Sequence, residues 1–324
     1  MRHLLSLLAF VAAAAAASGA PLQGAADYPS RPVRLVVPFA PGGTNDVIGR
    51  ILAEKLATRL GQAVVVDNRP GANSVVGAEI VAKAAPDGHT LLIVAAGFAV
   101  NPSLRKTLPY DTVRDFAPLG LVGSGPYLLV VHPSVPAKDL GELVTWAKSR
   151  AGAVSYASTG TGSPPHLAAE LLRIAAGIEM QHVPYKGGGQ VLPDLLAGRV
   201  SLFFGSVSTL AAHVQAGRLR AIAVTTTRRA PSLPDVPTVI ESGIAGYEVN
   251  GWYGLLAPAR TPGAIVRRLN AELRAALDER DTRARLAQRG IEPQTGSPEE
   301  FAALIRDEIA KWAKVVRAAG IQAD

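Results

Sequence analysis

Apolar and polar positions change period repeatedly along this chain, and each change marks an element. Val33-Arg34-Leu35-Val36-Val37 is a short β-branched and apolar run that predicts a strand. Thr44 reads as an N-cap, after which Val47, Ile48, Ile51, Leu52 and Leu56 recur at helical spacing until Gly61. Val64 to Val66 predicts a second strand and Val75 to Ala85 a second helix. Pro86-Asp87-Gly88 predicts a turn, and Leu91 to Val94 a third strand. Such βαβαβ alternation predicts a mostly parallel sheet covered by helices.

A second series follows. Strands are predicted at Tyr127 to Val131, Val154 to Ala157, Met180 to Val183, Val200 to Phe204 and Leu219 to Val224. Helices between them begin near Asp139, Ser163, Gly188 and Val207. A proline-rich loop, Ser232 to Pro237, precedes a strand near Val249 to Leu256. Two or three helices rich in Ala, Leu and Arg then run to the C-terminus. Two series of similar size predict an α/β protein of two lobes. Periodicity alone leaves open where the helical tail packs. A return to the first lobe would make that lobe discontinuous, with chain crossings near Ser124 and Tyr247.

The N-terminus changes the compartment. Arg2 and His3 are followed by an uncharged stretch from Leu4 to Ala17, too short to span a membrane comfortably. Ser18-Gly19-Ala20 and Gly24-Ala25-Ala26 then offer small-residue cleavage sites, the layout of a secretory signal peptide. Cleavage after Ala26 is favoured, since Pro21 directly follows the earlier site. The chain has 0 cysteines, which excludes a lipoprotein anchor, disulfides, thiolate metal sites and a cysteine nucleophile. A periplasmic, soluble product is expected.

With 324 residues, 48% of them hydrophobic, the chain has the length of about two domains and can bury a large core. Its formal charge of +7 admits an anionic partner. The late arginines, Arg267 to Arg289, alternate with Glu272, Asp278, Glu279 and Asp281, however, as on a solvated helix face. Aromatics make up only 5% and do not interleave with the basic residues, so a nucleic-acid partner is not expected.

Candidate chemistry concentrates in loops between strand ends and helix starts, where open α/β sheets bind ligands. In Phe39-Ala40-Pro41-Gly42-Gly43-Thr44-Asn45-Asp46, paired glycines let backbone N–H groups converge beside a helix N-terminus, which suits a carboxylate or phosphate. An ordinary tight turn with a Thr cap is the plainer reading, and Asp46 is either a first-turn helix residue or a contact to a ligand amine or hydroxyl. Ser158-Thr159-Gly160-Thr161-Gly162-Ser163-Pro164-Pro165-His166 is rich in hydroxyls and glycine, with Ser163 as N-cap and Pro164 after it. One such loop per lobe makes a clamp. Tyr185-Lys186-Gly187-Gly188-Gly189 is a third candidate, in which Lys186 either adds a cation or is simply solvated.

Enzyme readings find little support. The first loop lacks both G-x-G-x-x-G and the Walker lysine, and no G-x-S-x-G occurs. His89, His132, His182 and His213 are scattered singly, without H-x-x-x-H or H-E-x-x-H. His166 reads as a helix-start residue facing cleft or core. No catalytic residue, metal site or cofactor is expected.

At these loops the sequence resembles the solute receptors of tripartite tricarboxylate transporters, the Bug family of periplasmic binding proteins. The matching strings are YPSRPVRLVVPFAPGGTNDVIGR, VDNRPGANSVVGAEIVAKAAPDGHTLL, YASTGTGSPPHLAAELL, VPYKGGGQVLPDLLAGRVSLFF and SLPDVPTVIESGIAGYEVNGWYGLLAPARTP, in family order over nearly the whole mature chain. The resemblance implies a two-lobe, type II-like periplasmic-binding-protein fold with two crossings: a signal peptide at 1–26, lobe 1 at 27–123 and 248–324, and lobe 2 at 124–247. It implies a non-enzymatic, monomeric receptor that closes on a small carboxylate or other organic anion and delivers it to large and small permease subunits. A sensor feeding a membrane signalling partner is the alternative. Phe39, Ala40, Gly43, Thr44 and Asp46 are the implied first-lobe contacts, and Ser158, Thr159, Gly160, Ser163 and His166 the second-lobe contacts. Phe98, Tyr185 and Lys186 are further candidates. Gly205 stands where many relatives carry aspartate, and many also have a polar residue near Phe98. Both departures imply a less acidic cleft and a ligand without an amino group.

Overall fold

The computed structural model describes residues 28–150, 152–185 and 188–322. The expected signal peptide and Lys186 lie outside the described residues. The first series forms β1 (Val33–Val37), α1 (Thr44–Leu60), β2 (Val64–Asn68), α2 (Val75–Ala82), β3 (Thr90–Ala95), a 3-10 turn and α3 (Asn101–Leu104). Then come β4 (Phe116–Val131), α4 (Leu140–Ser149), β5 (Ser155–Ser158), α5 (Pro164–Ala176), β6 (Gln181–Pro184), α6 (Gly188–Leu196), β7 (Leu202–Ser206), α7 (Val207–Gln215) and β8 (Arg220–Val224). The chain closes with β9 (Asn250–Pro258), α8 (Gly263–Asp278), α9 (Arg280–Ala287), β10 (Glu292–Pro293) and α10 (Pro298–Ala319).

These strands build one curled sheet in the order β2-β1-β3-β9-β4-β7-β5-β6, with β8 and β10 paired to β4. Each end is parallel: β1 with β2 and β3, and β5 with β6 and β7. The middle is antiparallel, because β4 runs through both halves. Its residues Phe116 to Pro126 pair with β9, and Tyr127 to Val131 pair with β7 and β8. The two crossings are thus neighbouring strands, β4 and β9.

Strand neighbours alternate between separate cores. Leu35 and Leu91 pack with Ile48, Leu52 and Leu269, whereas Val36 and Leu92 pack with Phe98, Trp252 and Phe301. In the second lobe Leu129 and Phe204 pack with Tyr156 and Leu167, and Leu128 and Phe203 with Val191 and Leu210. Both faces are covered, which is why these strands read as continuous apolar runs rather than as alternation.

Helix α10 is held by both lobes. A reciprocal Ser297–Glu300 capping box starts it. Phe301 and Ile305 enter the first-lobe core, while Trp312, Val315 and Val316 join the second-lobe core around Tyr156 and Leu167. Between them the buried Glu308 carboxylate accepts both indole N–H groups, from Trp252 of β9 at 3.2 Å and Trp312 at 2.8 Å.

The register shows which way the strand ends point. Ala95, ending β3, lies opposite Tyr253 of β9, and Asn250, starting β9, lies opposite Pro126 of β4. The next residue of β4, Tyr127, lies opposite Ser206, ending β7. The C-terminal edges of both parallel arrays therefore meet at the Pro126–Asn250 junction, facing each other.

Candidate functional site

Loops of both lobes leave the strand ends on the side of this junction. In the first lobe, α1 begins at Thr44 with Gly43 as its cap, one residue before the position expected. Gly43 has the extended backbone of a cap and its carbonyl accepts from Val47 N–H at 3.0 Å, yet it has no side chain to satisfy the first turn. Asp46 shapes the loop from inside the helix. Its carboxylate accepts from Gly42 N–H, Arg50 Nε and Asn68 Nδ2, each at 2.9 Å. Burial alone would raise the Asp46 pKa, but these hydrogen bonds outweigh it and hold the group below its ordinary value. Asn68 also donates to Phe39 O at 3.1 Å. Asp46 is thus spent on the loop itself, leaving Ala40 and Gly43 exposed and Thr44 half-exposed at the helix end.

The second-lobe loop uses a different chemistry. Pro164 and Pro165 occupy the first turn of α5 and have no N–H to offer, so this helix start contributes its dipole and hydroxyls rather than a fan of amides. Gly160 N–H is taken by Ser158 Oγ at 3.1 Å and Gly162 N–H by His166 Nδ1 at 2.9 Å. Ser163 sits at the cap, and its buried Oγ has no hydrogen-bond partner among the described residues. Asn45 Oδ1, in the first turn of α1, is buried and unpartnered in the same sense. Thr159 and Gly160 are half-exposed.

Several expected contacts are placed elsewhere. Phe98 is 1% exposed in the first-lobe core, stacked on Tyr110 and edge-on to Phe116. Gly205 is also buried, and a Cβ there would meet the Phe203 ring at 2.5 Å and Leu210 at 2.7 Å. A side chain at 205 would enter the core, so neither departure bears on the acidity of the cleft. Tyr185 donates its hydroxyl to Asp194 at 2.8 Å; burial, then Asp194, push its pKa up to about 12. Ser158 and His166 are buried as well, at 0% and 5% exposure.

Ser158 Oγ lies 2.6 Å from His182 Nε2, the spacing of a nucleophile and its base. The hydroxyl is fully buried and also bonded to both the N–H and the carbonyl of Gly160, so it is a structural group. Among the described residues no group of His, Asp and Glu could hold a metal ion.

Other groups at the edge carried weaker sequence signals. Ala72, Asn73 and Ser74, ahead of α2, all have left-handed backbones, with φ of 50°, 54° and 73°. Only Asn73 among them tolerates this region well, so the composition hinted at one such residue and not three. Ser206 caps α7, with its Oγ 2.6 Å from Thr209 Oγ1 and 3.3 Å from Ser208 Oγ. The run Ser-Val-Ser-Thr after a strand was its signal.

The Tripartite tricarboxylate transporter family receptor model matches residues 48–321. Protein BugT of Bordetella pertussis is 37% identical over 98% of this chain and 98% of its own length. The solved structure of R. palustris Rpa4515 with adipate is 38% identical, with a TM-score of 0.83, covering 91% of this chain and 99% of that one. MatC from Rhodopseudomonas palustris with bound malate is 35% identical, with a TM-score of 0.79, covering 89% and 100%. Two α/β lobes with loop chemistry converging between them agree with these likenesses: the chain belongs to the tripartite tricarboxylate transporter receptor family, the Bug group of periplasmic solute-binding proteins.

Proposed function

We propose that this chain is an exported, non-enzymatic receptor that holds a small carboxylate between the start of α1 and the Ser158–Ser163 loop. What supports this reading is an α1 N-terminus whose cap has no side chain and, in the other lobe, a buried Ser163 hydroxyl with no hydrogen-bond partner among the described residues. Amides at a helix end favour negative charge and are already oriented, so little ordering is needed on binding. Ser163 Oγ supplies a neutral donor from the opposite lobe, and no arginine is needed. The adipate and malate seen in two relatives belong to the same ligand class.

Closure follows from the two crossings. Residues 27–123 with 248–324 and residues 124–247 are the proposed lobes, turning about β4 and β9. A ligand that bridges them only when closed favours the closed form. That form then hands its solute to a permease of one large and one small membrane subunit. The mature receptor is proposed to begin after Ala26 and to act as a monomer.

The test is calorimetry on mature protein that has been unfolded, stripped and refolded, against mono-, di- and tricarboxylates and amino acids. Saturable binding of an acid, and none of its amide, is expected. Equal binding of acid and amide, or no binding of any acid, overturns the carboxylate assignment. Uptake of the same acid by cells that depends on both receptor and permease tests delivery.

A further inference from the structure

Behind the second-lobe loop lies a stack of three rings. His166, in the first turn of α5, lies face to face with His182 of β6, centroids 3.8 Å apart and planes 6° from parallel. Tyr156 of β5 continues the stack, 5.1 Å from His182. The strand register makes this possible, because Tyr156 and His182 are partners in the β5–β6 ladder. Both histidines reach forward to the loop: His166 Nδ1 accepts from Gly162 N–H at 2.9 Å, and His182 Nε2 meets Ser158 Oγ at 2.6 Å.

Counting protons assigns the tautomers. A hydroxyl has one proton to give and two lone pairs. All three contacts of Ser158 Oγ are satisfied together when it donates to Gly160 O and accepts from Gly160 N–H and His182 Nε2–H. His182 then carries its proton on Nε2. His166, accepting at Nδ1, carries its single proton on Nε2 and is neutral, and burial disfavours a second proton on His182. The surroundings hold this arrangement: Glu170 accepts from Tyr156 Oη at 2.6 Å and from Arg173 Nε at 2.8 Å, and Arg173 also faces Glu179 at 3.6 Å. Glu170 is thereby occupied, and its remaining pull on a His182 proton is weaker than the effect of burial. From the first lobe, Leu104 closes against Gly162, whose φ of +74° leaves no room for a Cβ on that side.

We propose that the His166–His182 stack braces the ligand loop, so that both histidines position residues 158–163 without touching the solute. The brace turns the Gly160 and Gly162 amides inward and fixes the loop between them. That leaves the half-exposed Thr159 and the unpartnered Ser163 hydroxyl as the loop groups available to the solute, whereas Thr161 lines a pocket with Arg173, Glu179 and Gln322. This inference rests on the proposal that the loop holds the carboxylate, and it assigns His166 and Ser158 a role different from direct contact.

The experiment compares replacements that keep or remove one hydrogen-bonding atom, the acceptor of His166 and the donor of His182. His166→Asn retains an acceptor near the Nδ1 position, whereas His166→Phe keeps a flat ring and removes it. His182→Gln and His182→Leu form the equivalent pair at the other ring. Malate and adipate are the probes, and amide hydrogen exchange at Gly160 and Gly162 is read in the same proteins without ligand. The brace predicts faster exchange at Gly162 and roughly tenfold weaker binding in His166→Phe, with both within about threefold of the parent in His166→Asn, as for loss and retention of one buried hydrogen bond. If His166→Phe leaves exchange and affinity unchanged, or if His166→Asn fails as badly, the brace is wrong. Should His166→Phe not fold, the His182 pair decides by the same criteria at Gly160. Should the parent bind neither acid, the acid found in the calorimetric screen replaces them as probe; if no acid binds, the carboxylate reading fails, while the exchange data still decide the brace.

Discussion

Pro126 of β4 and Asn250 of β9 are register partners at the one junction where both crossing strands pass between the lobes. One residue further on, both crossings are tied to Thr225. Its main chain and that of Tyr127 bond at 3.0 Å, its Oγ1 accepts from Tyr127 N–H at 2.9 Å and donates to Val249 O at 2.6 Å, and Val249 N–H returns to Thr225 O at 2.9 Å. The lobe turning proposed above would then fall at the Gly125–Pro126 and Asn250–Gly251 steps, next to this clasp.

Thr225→Val removes this clasp with little change of shape. It strands the buried Tyr127 N–H and Val249 carbonyl, and lowers unfolding free energy by about 1–3 kcal/mol. Denaturant melts will show this loss, and hydrogen exchange at Tyr127 will rise with it. An unchanged melt would mean that the main-chain ladder alone holds the crossings.

Gly43→Val separates binding from stability. A Cβ at this cap would have only Ala40 O nearby, at 3.6 Å, and the backbone there is one that any residue adopts. The melting temperature should fall little, since an apolar cap costs about 1 kcal/mol. The added methyls cover the first-turn amides, so carboxylate affinity should fall by at least about tenfold, or about 1.4 kcal/mol. Calorimetry reads both numbers' consequences in one sample; retained affinity would move the anion away from α1.

Much of the parallel part of this fold was legible in the sequence, because β1, α1, β3 and the second-lobe strands are apolar runs bounded by turn residues. The first stretch of β4 was not. Pro118, Gly120, Gly123, Gly125 and Pro126 carry no strand pattern, and no element is expected there, yet they form a strand whose register against β9 shifts twice, after Pro118 and after Leu121. The glycines answer to close neighbours: a Cβ at Gly123 would lie 2.6 Å from Glu292 O. At the site, loop composition located the two anchoring segments but could not say which members face inward. Ser158, His166, Asp46 and Phe98 all look like ligand groups by residue type, and each is spent on internal bonds or core contacts that only tertiary structure reveals.

Gly254 marks the place where α10 locks to a crossing strand. A Cβ there would overlap the Phe301 ring, which also packs edge-on against Trp252 at 5.7 Å. Gly254→Ala should destabilise by about 1–3 kcal/mol through overpacking. Phe301→Leu alone should also destabilise, by leaving space. Together the two should lose less than the sum, since the smaller side chain makes room for the methyl. Additive losses in the double-mutant cycle would show that the two residues do not share this space.

Acid should weaken the protein through His166 before most carboxylates titrate. Burial, with His182 beside it, lowers the His166 pKa from its ordinary 6.5 to about 3, and burial lowers His182 against the opposing pull of Glu170. In the unfolded chain His166 takes up a proton near pH 6.5, whereas in the folded chain it stays neutral. The stabilisation is therefore fully present above about pH 6.5 and declines as pH falls toward 3, with a limiting slope of about 1.4 kcal/mol per pH unit for this histidine. Unfolding free energies of the parent and of His166→Asn, measured at pH 7.5, 6 and 5, should converge as the pH drops, because the variant lacks the group that the unfolded chain protonates. Parallel curves would place the acid sensitivity elsewhere and mean that His166 is not held neutral by its burial.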